Sequence, residues 1–253
     1  MSIEDAVGPI LAITFLSGFL IEALWPREAQ PKRRFWRLTG IAFFIVSGFI
    51  NVIFPMFLPV EWVATHSLLP GTRLGVVGGF AVGFVVWTFV YYWYHRSEHR
   101  FDVMWRGLHQ LHHSPVRMDT AGFAFAHPTD VMVQTVLTLG VLIGILGIHP
   151  AAAALVGLYA AVAELVQHIN IRTPRWLEWI MQRPEAHQRH HEYGQHAGNY
   201  ADWPVWDKLF GTYRAPATAP LAYGFDANAT RRLGAMLLFV DVNRGAAPIV
   251  RHD

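Results

Sequence analysis

Cysteine is absent from the 253-residue chain, and charged residues are scarce. The absence of cysteine excludes disulfides, thiolate metal ligands, iron–sulfur clusters and cysteine nucleophiles. Charged residues make up 15% of the chain, against roughly 25% in soluble proteins, whereas 53% of the residues are hydrophobic. This composition predicts an integral membrane protein. The net charge is only +2, and basic residues cluster only in short runs beside apolar segments, so we expect no nucleic-acid partner.

Apolar runs occur at about residues 6–25, 38–60, 74–94, 131–148 and 151–169. A helix needs about 20 apolar residues to cross the hydrocarbon core of a bilayer. The first run is preceded by Glu4 and Asp5 rather than by the basic residues of a cleaved signal peptide, so we expect a retained helix. The last two runs are joined by His149-Pro150 and predict a helical hairpin in the membrane, with legs that are short for a full span.

The basic residues predict the orientation of the chain in the membrane. Lys32, Arg33, Arg34 and Arg37 lie between the first two runs, whereas residues 61–73 contain a single basic residue. Because lysine and arginine are retained on the cytoplasmic side, the first loop is predicted to be cytoplasmic. Alternation of the runs then brings residue 95 and residue 168 to the same side. We therefore expect every histidine cluster to lie on the cytoplasmic face.

Histidine is over-represented, with 14 residues that are unevenly placed. One group is H-R-S-E-H, and two others have the form H-x-x-H-H; by template counting, two such copies arise by chance roughly once in a thousand chains. In a helix these spacings bring side chains to one face, and imidazoles without thiolates suit Fe, Zn, Cu or Ni. Since the set exceeds what one ion can bind, two metal ions are predicted. The nine predicted ligands are His95, His99, His109, His112, His113, His168, His187, His190 and His191.

Further polar residues are candidates for a ligand or for a group that orients one. Glu164 precedes His168 by one helical turn at the end of an apolar run, where an acidic residue needs a partner. The alternative for Glu164 is a side chain that reaches the membrane surface. The full set of these candidates is Glu164, His127, His196, Asn170, Asn199 and Asp207.

The predicted fold is all-α: an integral membrane helical bundle with a histidine-rich di-metal helical cap on its cytoplasmic face. We expect one domain over residues 1–253, divided by function along the chain. The divisions are three transmembrane helices in 1–94, the first histidine clusters in 95–130, the membrane hairpin in 131–169, the last cluster and a closing motif in 170–213, and a tail in 214–253. The tail's apolar stretch, residues 233–240, is too short to span and suits either a strand or a surface helix.

These motifs resemble the fatty acid hydroxylase and sterol desaturase superfamily of integral-membrane di-iron oxygenases. The similarity covers H-R-x-x-H at 95–99, H-x-x-H-H at 109–113, H-P at 127–128, H-x-N at 168–170 and H-x-x-H-H at 187–191, and continues to the W-D-x-x-F-G-T-Y segment at 206–213. Ala201 stands where glycine is usual and Asp130 where glutamate is usual. Fatty acid 2-hydroxylases have a histidine where this chain has Glu164.

The resemblance implies two iron ions, with zinc as a possible substitute, that use O2 and external electrons to hydroxylate or desaturate a lipid. The chain has no cysteine for a cluster and no dinucleotide fingerprint, so we expect a separate ferredoxin-type or cytochrome-type donor that docks on the basic face around Arg96, Arg100, Arg106, Arg183 and Arg189. The alternatives are a metal transporter, a membrane zinc hydrolase, and a membrane protein that only stores or buffers metal. The apolar runs carry few polar residues away from their ends, which argues against transport.

Overall fold

The computed structural model of the protein describes residues 2–216, 222–226 and 229–243, and these ranges are helical without a β-strand. Short 3-10 and π-helical segments connect several of the helices. In chain order the α-helices are α1 (Ile3–Leu24), α2 (Trp36–Ile53), α3 (Val60–Thr65), α4 (Gly75–Arg100), α5 (Asp102–Met104), α6 (Thr120–Phe123), α7 (Pro128–Thr138), α8 (Pro150–His168), α9 (Pro184–His190), α10 (Val205–Leu209) and α11 (Leu233–Leu237).

Five helical stretches in the described residues are long and apolar enough to cross a membrane: Ile3–Leu24, Trp36–Phe57, Gly71–Arg100, Pro128–Ile145 and Pro150–His168. The predicted all-helical membrane fold is thereby confirmed. Both legs of the hairpin reach 18 residues or more, because the first begins at Pro128 and continues past α7 as the π-helical segment Leu139–Ile145. The predicted division after residue 94 falls within α4 rather than at its end. Helix α4 continues to Arg100 and itself carries His95 and His99.

The two His-Pro pairs explain where both legs of the hairpin begin. The Nδ1 atoms of His127 and His149 accept the backbone N–H groups of Thr129 and Ala151, both at 3.2 Å. The proline that follows each histidine occupies the first helical position, where its missing N–H costs nothing. Between the legs, Gly147 has φ +57° and lies against the Leu69 carbonyl, so a side chain there would clash.

Helix α8 is the centre of the bundle and packs against both α1 and α4. The α4–α8 contact is close because Gly79 and Gly83 of α4 face Ile148, Ala152 and Val156. Many large apolar side chains elsewhere on the spanning helices are exposed, such as Phe49 at 66% and Val77 at 84%. Because exposed apolar side chains at this density suit contact with lipid rather than water, the surface agrees with an integral membrane protein.

The segments between and after the spanning helices form a cap at the end of α4 and α8. Helix α9 packs on α8, and α10 contacts α4. The apolar stretch at 233–240 forms the short helix α11 rather than a strand, and Met236 is fully buried there in a cluster with Trp105, Leu111 and Phe125. Residues 229–243 therefore close one side of the cap, over the residues that carry the first histidine motifs.

Candidate metal centre

Nine buried histidines lie together at the junction of the bundle and the cap, in two sets. The five-His set consists of His95, His99, His109, His113 and His190, and the four-His set of His112, His168, His187 and His191. Within each set, one nitrogen of every imidazole lies within 4.8 Å of the corresponding nitrogen of every other. The structure thus brings all nine predicted ligands into two groups that could each hold a metal ion.

Each H-x-x-H-H motif contributes to both sets, contrary to the expectation that a motif would present its imidazoles together. His109 and His113 belong to the five-His set and His112 to the four-His set, whereas His187 and His191 belong to the four-His set and His190 to the five-His set. The pairs separated by four residues stay together because they share a helix face, and the third histidine points about 100° away from its neighbour. Each motif therefore gives two ligands to one set and one ligand to the other, which holds the two sets side by side.

The Nδ1 atoms of several imidazoles are bound to backbone carbonyls. His95 donates to Tyr200, His168 to Glu164 and His190 to Gly198, each at 2.7 Å. A carbonyl oxygen only accepts, so the Nδ1 atom of each of these rings carries the hydrogen. In the neutral ring, Nε2 then carries no hydrogen, and its lone pair is directed into the set.

The distances between Nε2 atoms are a test of whether a cation fits. His109 Nε2 lies 3.0 Å from the Nε2 atoms of both His95 and His113, and His168 Nε2 lies 3.0 Å from that of His112 and 3.2 Å from that of His191. With the hydrogens on Nδ1, the Nε2 lone pairs of His95 and His168 face neighbouring imidazole nitrogens at these short contacts, and a positive ion between the nitrogens could bind several of them at once. The donor sets therefore fit metal ions.

Burial keeps the cap imidazoles neutral. It lowers the pKa of each of these rings well below the ordinary value of 6.5, and the neighbouring imidazoles lower it further. The rings concerned are His109, His112, His113, His187, His190 and His191. Because a neutral imidazole is the form that binds a metal, these rings are ready to bind at neutral pH.

Three of the additional candidates have different roles from one another. His196 is buried and its Nδ1 lies 2.6 Å from His113 Nδ1; burial lowers its pKa to about 4. Glu164 contacts His168 through its backbone carbonyl, and its carboxylate is outside both sets. His127 is also outside both sets, where it caps α7.

The remaining candidates hold loops in place. The Asn170 side chain pairs with the backbone N–H and carbonyl of Glu28, and Asn199 pairs with Ala186 and with both backbone groups of Arg214. The buried carboxylate of Asp207 accepts the N–H groups of Tyr200 and Ala201, and burial raises its pKa to about 6. These contacts fix the carbonyls to which His95 and His190 donate.

Glu98 was not predicted and is the acidic residue nearest to the five-His set. It is 1% exposed, and its Oε2 lies 3.3 Å from His109 Nδ1. Glu98, His109 and Asp130 also form a third group with metal-ligand spacing, and Asp130 in turn accepts from Tyr94 at 2.6 Å. The available signal was the acidic residue inside H-R-S-E-H on an apolar helix, where a charge needs a partner.

The fold and the site define a class, the multi-pass helical membrane proteins with a histidine-lined metal-binding centre at one end of the bundle. The chain belongs to the fatty acid hydroxylase family, whose model matches residues 80–212. The predicted superfamily is thereby confirmed.

Curated relatives give the same picture. Alkylglycerol monooxygenase of Xenopus tropicalis is 29% identical over 151 residues, 54% of this chain and 30% of the relative. The Homo sapiens alkylglycerol monooxygenase is 31% identical over 135 residues, 50% of this chain and 28% of the relative. A putative Delta(7)-sterol-C5(6)-desaturase 2 of Arabidopsis thaliana is 29% identical over 144 residues, 54% of this chain and 48% of the relative. The matched part thus spans less than half of each relative. No solved structure matches the chain significantly.

Proposed function

We propose that this protein is a membrane-bound oxygenase that uses O2 and external electrons to hydroxylate or desaturate a lipid. The observation that carries the proposal is the arrangement of nine buried imidazoles in two sets, in which several pairs of Nε2 atoms are 3.0–3.2 Å apart. Membership of the fatty acid hydroxylase family and the names of the curated relatives support a lipid substrate.

Iron is the metal that the donor sets suit best for this chemistry. Two iron ions, when bound, supply the change of oxidation state needed to activate O2. Zinc also binds imidazole but does not change oxidation state, so we expect zinc to replace iron without activity. The protein's part is to keep the rings neutral, to orient them through their Nδ1 contacts and to exclude water by burial.

The position of the centre supports a substrate that arrives from the bilayer. His95, His99 and His168 lie in the last turns of the spanning helices α4 and α8. Phe123, whose ring centre is 6.2 Å from that of His168, offers an apolar contact beside the four-His set. We propose that a lipid chain reaches the centre from the membrane while its polar end stays near the cap.

We propose that the centre faces the cytoplasm. The loop with Lys32, Arg33 and Arg34 begins beside the cap, since Arg27 donates to Gln188 and the Glu28 N–H donates to Asn170. The basic loop and the centre are therefore at the same end of the bundle, which supports the cytoplasmic placement by the positive-inside rule.

Electrons are proposed to come from a separate protein that docks on this face. Hydroxylation consumes one O2, two electrons and two protons for each lipid C–H bond, and yields the alcohol and one water. Of the basic residues predicted for docking, Arg183 pairs with Glu185 at 3.1 Å in a largely buried position and is therefore unsuited. Arg96, Arg100, Arg106 and Arg189 remain the proposed contacts for an acidic donor.

The test is a reconstitution with labelled oxygen. Purified protein in lipid vesicles, loaded with Fe²⁺, is given a ferredoxin or cytochrome donor with its reductase under 18O2, and the lipids are analysed by mass spectrometry. We expect a lipid product with 18O or with two fewer hydrogens, only when the donor is present, and less product at high salt. Oxygen derived from water would indicate a hydrolase. Bound metal without any O2 consumption would indicate a transporter or a metal-buffering protein.

A further inference from the structure

His196 lies outside both histidine sets, yet it contacts one of them directly. Its Nδ1 is 2.6 Å from Nδ1 of His113, and its Nε2 is 2.9 Å from the carbonyl oxygen of Gly224. On the other side, Nε2 of His113 is 3.0 Å from Nε2 of His109 within the five-His set. The three groups form a line from a backbone carbonyl to a candidate metal ligand.

The carbonyl at one end determines where every hydrogen in this line lies. Gly224 can only accept, so Nε2 of His196 carries a hydrogen, and Nδ1 of the neutral ring is an acceptor. Nδ1 of His113 must then be the donor, which leaves Nε2 of His113 as the lone pair that faces the five-His set. His113 is thus held in the tautomer that binds a metal.

We propose that His196 is a positioning residue that fixes the tautomer and the ring orientation of His113 for the metal ion of the five-His set. The inference rests on the proposed function, because it requires an ion in that set. Partners of this kind orient metal-bound imidazoles, and their loss weakens metal binding by about 10- to 100-fold.

Two variants separate this role from a purely structural one. In His196→Asn the amide oxygen takes about the place of Nδ1 and can still accept from His113, whereas the contact with Gly224 is lost. In His196→Gln the amide takes about the place of Nε2, so the contact with Gly224 is kept and the acceptor for His113 is lost. His196 has φ +41°, a conformation that asparagine adopts readily, so the melting temperatures of the metal-free variants serve as a control for backbone effects.

The measurement is the rate at which a chelator removes Fe²⁺ from the anaerobically loaded full chain. We expect His196→Gln to lose one of its two ions about 10- to 100-fold faster than the unaltered protein and to keep the other at the normal rate, whereas His196→Asn keeps both. Equal retention in both variants, or equal loss in both, would overturn the positioning role. Failure of the unaltered chain to hold two ions would instead contradict the proposed function.

A separate observation concerns the aromatic segment, defined as residues 175–181. This segment follows α8 and lies beside the spanning helices rather than beyond their ends. The Ile180 carbonyl accepts from the Tyr159 hydroxyl at 2.8 Å, and the Trp179 carbonyl accepts from the Trp203 ring N–H at 3.1 Å. Tyr159 precedes His168 by nine residues, which places it about 13 Å along α8 from the level of the centre.

The exposed side chains of the aromatic segment are apolar apart from Arg175 at its first position, and two of its carbonyls are bonded within the protein. Trp176, Trp179 and Ile180 are 59%, 82% and 46% exposed. The carbonyls of Trp179 and Ile180 each accept a hydrogen bond from a side chain. Irregular backbone in an apolar surrounding needs such partners, because no water is available there. The adjacent charge of Glu178 is paired with Lys208 at 2.6 Å.

We infer that the aromatic segment lies in the bilayer, at the boundary between headgroups and acyl chains on the side of the metal centre. The exposed surface of the segment is continuous with the lipid-facing surface of α4 and α8. Tyr159 of α8 contacts the segment directly, and Trp203, which also contacts it, packs against Phe84 of α4 with 5.1 Å between ring centres. Tryptophan is enriched at this depth, where one ring edge is wet and the rest is apolar.

The absence of cysteine allows this inference to be tested with single spin labels in vesicles. Trp179→Cys and Trp176→Cys report on the segment, Phe49→Cys on α2 is the lipid reference, and Tyr193→Cys, an exposed aromatic position in the cap, is the water reference. We expect the labels at 176 and 179 to be relaxed more by O2 than by a water-soluble nickel complex, as at 49. Relaxation by nickel as strong as at 193 would place the segment in water and overturn the inference.

Discussion

At the scale of residues, the centre depends on imidazoles of which several have Nδ1 bound by the protein and Nε2 directed into a set, as in His95, His168 and His190. Neighbouring histidines belong to different sets, since His190 is in the five-His set and His191 is in the four-His set. A substitution at either position therefore removes one ligand from one set and leaves the other set complete.

We predict that His190→Ala and His191→Ala each reduce bound iron from two ions to one per chain and abolish turnover. Iron is counted by mass spectrometry after a chelator wash of the purified protein. His66→Ala is the matched control, since His66 is exposed and lies outside both sets, and it should keep both ions. Two retained ions in both ligand variants would contradict the two-set arrangement.

At the scale of elements, a glycine allows α2 to lie close to α6. Gly40 of α2 lies against Ala121 of α6, and a Cβ atom at this position would be 2.7 Å from the Ala121 carbonyl oxygen. Gly48, two turns further along α2, has no atom within 4 Å of the corresponding Cβ position. The two glycines therefore form a matched pair on one helix.

We predict that Gly40→Ala destabilises the protein by about 1–3 kcal/mol, since the overpacked contact must shift backbone. For a chain of this size the change corresponds to a fall in Tm of about 2–12 °C. Gly48→Ala should leave Tm unchanged or raise it slightly, because alanine favours the helix. The measurement is thermal unfolding in the same detergent for both variants. An equal change in Tm for the two variants would show that the close α2–α6 contact does not contribute to stability.

At the scale of the whole molecule, the proposed orientation places the basic loop and the cap on one side of the membrane. Phe35 and Tyr193 are 59% and 46% exposed on these two parts, and Thr65 is exposed at the end of α3. Both parts lie at the end of the bundle where α8 finishes.

We predict that single cysteines at Phe35 and Tyr193 react with a membrane-impermeant thiol reagent only from the cytoplasmic side, and one at Thr65 only from the opposite side. Labelling is compared in intact cells and in inverted vesicles. Because the chain has no other cysteine, the background is low. Labelling of positions 35 and 193 from opposite sides would contradict the number of spanning helices.

The sequence by itself determined the class of the protein and the identity of the candidate ligands. Long apolar runs have few alternatives to membrane helices, because a bilayer leaves backbone groups no other partner. The nine clustered histidines were recognisable because metal binding requires a rare residue type at short, regular spacings. The ends of the helices were harder to predict from the sequence. The apolar pattern ended at residue 94, whereas α4 continues to Arg100 through polar residues that the cap buries.

Only the tertiary structure decided which histidine belongs to which set. Helical periodicity separates His112 from His109 and His113, but the partner set for each ring depends on how α8 and α9 pack against the end of α4. The positions of Glu98 and His196 were decided in the same way, since contacts with His109 and His113 join residues 11 and 83 positions apart. Long-range packing sets these distances, and a local pattern of residues does not contain them.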